Sequence, residues 1–193
     1  MEEIYFDEMI KPSAISAGEK RLLISSKEIH YQEKIILTNS ISQAAESLTQ
    51  VQSVISTLGN TYLFEMKNST GEKLEFGFTS FMNPGGSLDL YSRVHASMEK
   101  AVYKRMADEF DKKVAGGEII KTGQVEIEKD GVTLVQGLIF KKREFISWKY
   151  LGTTVENGNL NLFSKTNPKL KGQIMLHWWN AVVYRILIEE KIQ

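Results

Sequence analysis

Two stretches of this chain carry apolar residues at helical spacing, and each closes a run of short, strand-like segments. From Leu88 to Val114 the apolar positions Tyr91, Val94, Met98, Ala101, Val102, Met106 and Phe110 recur at offsets of three and four, so they share one helix face. Asn83-Pro84-Gly85-Gly86 breaks the chain before this stretch and Gly116-Gly117 stops it. A second helix is predicted over about Leu176 to Lys191, with Trp179, Val182, Val183, Ile186 and Leu187 on its apolar face and His177 at its start. A helix with one apolar stripe must bury that stripe against another layer, and the strand-like runs are the material available for it.

Those runs are short, rich in residues that suit strands, and punctuated by turn residues. In the first half the expected strands are Arg21–Ser25, Glu28–Gln32, Lys34–Leu37, Val51–Thr57, Tyr62–Lys67 and Lys73–Phe78, the last preceded by the turn Asn68-Ser69-Thr70-Gly71. In the second half they are Gly123–Glu128, Val132–Val135, Leu138–Phe140, Phe145–Trp148, Gly152–Val155, Asn159–Phe163 and Gln173–Leu176. Lys129-Asp130-Gly131, Glu156-Asn157-Gly158-Asn159 and Asn167-Pro168 mark turns between them. Ser40 to Leu58 fits a helix by spacing and a strand by the residues of its second part, so a loop or short helix over Ile41–Ser47 followed by a strand is expected.

The halves also resemble each other. Leu22, Ile24, Ile29 and Tyr31 correspond in order to Val125, Ile127, Val132 and Leu134. Leu48, Val51 and Ile55 match Trp148, Leu151 and Val155; Leu58–Phe64 matches Asn157–Phe163; and Ala101-Val102-Tyr103-Lys104 matches Val182-Val183-Tyr184-Arg185. Repeated matches in one order point to duplication. The expected division is an N-terminal extension over 1–18, a first unit over 19–115 and a second over 118–193, in an α+β, mostly β chain. Each unit is expected to be a small bent antiparallel sheet, or partly open barrel, closed by its C-terminal amphipathic helix.

The features that carry a family likeness are the Lys129-Asp130-Gly131-Val132 hairpin, the segment Phe145-Ile146-Ser147-Trp148-Lys149-Tyr150-Leu151 and the closing Trp178-Trp179-Asn180-Ala181-Val182-Val183. In the first half, Leu48-Thr49-Gln50-Val51-Gln52-Ser53-Val54 looks like the corresponding strand entry. With several strands before one helix in each half, the chain resembles a tandem pleckstrin-homology-like protein of the bacterial kind, over about residues 19–193. The resemblance implies a non-catalytic protein that binds a phosphoinositide head group or another protein. Lipid-binding members place Lys and Arg around the first hairpin, whereas here it reads Glu126-Ile127-Glu128-Lys129-Asp130-Gly131, and acidic residues repel phosphates. A protein partner is therefore expected first and an anionic membrane surface second, with a bacterial immunity or inhibitor role as one version.

Composition narrows the chemistry. With 24 basic and 24 acidic side chains the chain is formally neutral, which argues against a general nucleic-acid binder. There is no cysteine, so disulfides, thiolate nucleophiles and Cys-ligated metals are excluded. His30, His95 and His177 lie far apart without a second ligand at helical spacing, and no phosphate-binding glycine loop or Gly-x-Ser-x-Gly elbow occurs. No catalytic residue, metal or cofactor is expected. The longest apolar stretch, Ala181 to Ile188, is interrupted by Arg185, so no membrane span is expected and a cytoplasmic location is. From Lys141 to Lys171 seven basic side chains face two acidic ones. Lys141, Lys142, Arg143 and Lys149 are the candidate surface for a partner or anion, and Trp178 is the candidate aromatic contact. The other reading is a single-domain small-molecule or lipid carrier, or an enzyme, with one continuous curved sheet.

Overall fold

A computed structural model describes residues 2–12, 18–52, 57–81, 84–137 and 142–193. The chain is α+β and mostly β, and its packing divides it into two units, Met1–Arg105 and Met106–Gln193. Their strands form four antiparallel sheets instead of two bent ones, a larger and a smaller sheet in each unit. Leu138–Phe140, expected as a strand, lies outside the described residues.

In the first unit β1 (Ile4–Ile10), β2 (Lys20–Ser25), β3 (Glu28–Tyr31) and β4 (Lys34–Leu37) pair in chain order. A 3-10 turn, Thr38–Ser40, leads into β5 (Ile41–Gln52), β6 (Thr57–Asn68) and β7 (Lys73–Phe81), which form the second sheet. The helical run is α1 (Pro84–Met98), a π-helical turn over Glu99–Tyr103 and α2 (Lys104–Ala115). Pro84 opens it, at the helix position where a missing N–H costs nothing. It ends as expected at the glycines. Gly117 takes φ +92°, its N–H bonds the Val114 carbonyl and the Glu118 N–H bonds the Lys113 carbonyl, which satisfies the last carbonyls of the helix.

The first-unit core comes from alternation. Tyr62, Phe64 and Met66 point inward from β6 and face Phe78, Phe76 and Leu74 of β7, all six buried. Their rings stack, Phe64 on Phe76 at 5.0 Å and Tyr62 on Tyr91 of α1 at 4.8 Å between centroids. Two expectations change here. The segment 1–18 holds a strand of the first sheet: β1 pairs with β2, buries Phe6 and Ile10, and has its Tyr5 carbonyl bonded by Ser97 of α1. And Ile41–Gln52 is extended from its first residue, with no helix over Ile41–Ser47. Its Gln, Ala, Glu and Leu favour helix weakly, but pairing with β6 along the whole strand outweighs that preference.

The second unit has β8 (Ile120–Thr122), β9 (Val125–Glu128), β10 (Gly131–Gln136) and β11 (Lys142–Ser147) in one sheet, ordered β11-β10-β9-β8. A 3-10 turn, Trp148–Tyr150, leads to a second sheet of β12 (Leu151–Glu156), β13 (Asn159–Ser164) and β14 (Lys171–Met175), and then to α3 (Ala181–Lys191). The part of α2 belonging to this unit meets α3 edge-on through Phe110 and Tyr184, with ring centroids 5.1 Å apart, and Lys191 Nζ lies 2.6 Å from Asp111. The helix starts later than its spacing suggests. Asn180 is left-handed, at φ +62°, so residues 176–180 form turns; His177 lies in them and Trp179 is 38% exposed, outside the core.

The order of elements is the same in both units: a four-stranded meander, a 3-10 turn, a three-stranded meander, a helix. The sequence matches in the larger sheets fall in like register. Leu22 pairs with Tyr31 and Ile24 with Ile29, as Val125 pairs with Leu134 and Ile127 with Val132. The match of Leu48 with Trp148 does not fall at like places, because Trp148 opens a 3-10 turn whose counterpart begins at Thr38.

Candidate functional site

The cationic candidates are placed by a strand. Lys142 and Arg143 are neighbours on β11, so their side chains leave opposite faces of the sheet. Each is met by a carboxylate: Lys142 pairs with Glu144, and Arg143 grips Glu126 of β9 through both terminal nitrogens, Nη1 at 3.1 Å from Oε1. Lys121 adds to the second pair, 3.7 Å from Glu126. Lys149 sits on the 3-10 turn, exposed, over the Tyr150 ring at 5.4 Å. Lys141 lies outside the described residues. The structure therefore brings Arg143 together with Glu126 and Lys121 and leaves Lys149 apart from them. An incoming anion would have to displace protein carboxylates from two of the four candidates, which weakens the pull those two side chains would exert on it.

Trp178 is half-buried and serves its own unit. Its ring lies over Gly123 in the turn between β8 and β9, where an added Cβ would come within 2.5 Å of it. Among the described residues the indole also meets His177 edge-on, at 6.4 Å between centroids.

A polar cluster inside the first unit was not read from the sequence. Glu46 points inward from β5, 8% exposed, at a position where a strand of this unit otherwise presents apolar side chains. Its carboxylate accepts a hydrogen bond from the Tyr91 hydroxyl at 2.9 Å and lies 2.9 Å from His95 Nδ1. The buried Tyr103 hydroxyl bonds Glu46 as well, from the π-helical turn. Such turns are rare overall and are frequent at functional sites. Tyr91 and His95, four residues apart on the apolar stripe of α1, were the available signal; Glu46 carried none, because its segment read as helix or loop.

Burial pushes the Tyr103 hydroxyl well above its ordinary pKa, and the Glu46 charge beside it pushes in the same direction. A tyrosine whose folded pKa is raised contributes stability fully present below its unfolded pKa of about 10 and lost as pH climbs beyond it. The expected result is a melting temperature that falls above about pH 10, with a shallower fall in Tyr103→Phe than in the wild type. Melting curves at stepped alkaline pH check this, and equal slopes for the two proteins would refute it. Burial raises Tyr184 too, so the comparison of slopes, not the fall alone, isolates Tyr103.

Among the described residues no group of three or more acidic or histidine side chains is placed to hold a metal ion, and no helix is long and apolar enough to cross a membrane. No family model and no curated protein matches the chain.

Proposed function

We propose that this chain is a non-catalytic interaction protein made of two units of pleckstrin-homology-like plan, and that its partner is a protein. The observation that carries the reading is a pair of hydrogen bonds repeated with different chemistry. In the first unit the Thr38 N–H bonds the Lys27 carbonyl at 2.8 Å, and the Thr38 hydroxyl bonds the Ser26 carbonyl at 2.9 Å. In the second the Trp148 N–H bonds the Asp130 carbonyl at 3.2 Å, and the Trp148 indole N–H bonds the Lys129 carbonyl at 2.9 Å. Each ties the first residue of the 3-10 turn to the hairpin between the second and third strands. A hydroxyl and an indole filling one structural role supports descent of both units from one plan. Four strands, a turn, three strands and a helix is the order that plan implies, and a partly open barrel plugged by the helix is the finer form proposed for each unit.

The preference for a protein over an anionic lipid surface follows from Glu144 and Glu126, which already occupy Lys142 and Arg143. The test has two arms on the full chain. Crosslinked capture from the encoding organism's lysate should recover one protein at stoichiometric yield. Vesicles of phosphatidylserine and phosphoinositide in phosphatidylcholine should fail to retain the chain at physiological salt. Retention on the vesicles without a captured protein would overturn the reading, as would turnover on a generic substrate panel.

A further inference from the structure

Half of the acidic side chains in residues 116–193 stand in one short stretch of the second unit. Between Glu118 and Asp130 stand Glu118, Glu126, Glu128 and Asp130, although residues 116–193 carry 11 basic and 8 acidic side chains. Glu126 is taken by Arg143 and Lys121, but among the described residues no ion pair engages Glu118, Glu128 or Asp130. These three and Lys129 rim a cavity of about 330 Å³ whose apolar surface comes from Ile119 and Phe145. That volume is at the small end of ligand sites, about 300–1,000 Å³, and suits one or two side chains.

Phe145 is 52% exposed and Ile119 43%, so both leave apolar surface open beside these carboxylates. The ring is held in place. Phe145 extends over Gly131, where an added Cβ would lie 2.8 Å from its Cζ and 2.1 Å from the Ile146 carbonyl oxygen. Glycine at 131 thus lets the ring lie across the hairpin, and β11, which carries it, is the edge strand of its sheet.

We propose that this groove docks a basic segment of the protein partner, with an arginine side chain laid against Phe145 and its charge among Glu118, Glu128 and Asp130. A guanidinium is the group that satisfies both surfaces at once. Its plane stacks on an aromatic face, its N–H fork matches carboxylates, and it is more weakly hydrated than an ammonium. An acidic or uncharged segment would leave three carboxylates facing it with only Lys129 on the rim to offset them. The proposal rests on the protein-binding reading above and names the partner's chemistry.

The test is fluorescence anisotropy of the full chain with a short labelled peptide bearing arginines in a glycine–serine background, and with the same peptide bearing glutamates. The arginine peptide should bind and the glutamate peptide should not. Phe145→Ala should weaken binding about tenfold, with an unchanged melting temperature because the ring is exposed. Glu128→Gln with Asp130→Asn should weaken it several-fold and flatten its salt dependence. Glu156→Gln, an exposed carboxylate at the end of β12 in the same unit, should leave it unchanged. Absence of binding, insensitivity to Phe145→Ala, or equal weakening by Glu156→Gln would overturn the groove. Failure here is separable from failure of the broader reading. A partner captured equally well by wild type and Phe145→Ala refutes the groove alone, whereas vesicle retention with no captured protein refutes the reading beneath it.

Discussion

Deleting residues 1–18 should unfold the first unit. The deletion removes β1, whose Phe6 and Ile10 are 5% and 1% exposed, and each buried side chain of this size contributes about 1.5–3 kcal/mol. It also removes the strand pairing from Ile4 to Ile10, the Ser97 bond to the Tyr5 carbonyl and the Glu8–Arg93 ion pair to α1. The ion pair is half-exposed and counts for little; the apolar burial and the ladder decide the outcome. A domain stabilised by roughly 5–15 kcal/mol does not survive the loss of a whole strand. The bare edge of β2 would then be open to pairing with other chains. Urea melts of the truncated and full chains, followed by circular dichroism, should show loss of part of the cooperative transition or aggregation. A truncated chain with the full-length midpoint would show that β1 contributes nothing.

The second large effect is expected from Glu46→Ala. The substitution strips the acceptor from the Tyr91 hydroxyl and from the buried Tyr103 hydroxyl, and takes the carboxylate away from His95. Breaking a buried charged network by removing its centre costs about 3–5 kcal/mol, because the remaining polar groups keep the desolvation cost of burial without the compensating bond. Glu46→Gln should cost less, since its amide oxygen still accepts from a tyrosine. Urea denaturation of both variants beside Glu156→Gln provides the comparison. If Glu46→Ala matched the surface control, the cluster would be a bystander to stability.

The contrast between these two places and the rest of the chain shows what a sequence can carry. Hairpins were legible because their cause is local. Asn157 and Gly158 take φ of 51° and 73° in the turn that joins β12 to β13, and few residues other than Asn and Gly accept such angles. The alternation that pairs Leu22 with Tyr31 and Val125 with Leu134 was legible for the same reason, as was the glycine stop of α2. The N-terminal strand was not. Ile4–Ile10 mixes acidic and apolar residues, and its place is set by pairing with β2 and contact with α1, partners distant in sequence.

The candidate site divides along the same line. Sequence by itself determined the two helical runs, the hairpin turns and the formal charge, because each follows from propensity, periodicity or counting over a few residues. Only the tertiary structure decided which charges remain available. Arg143 and Glu126 are far apart in the chain yet meet across β10, so a count of basic residues overstated the cationic surface. The same folding left Glu118, Glu128 and Asp130 around an exposed Phe145, and turned Glu46 from an unremarkable residue into the centre of a buried network. A charge acts on its surroundings through distance and burial, and both are properties of the packed chain.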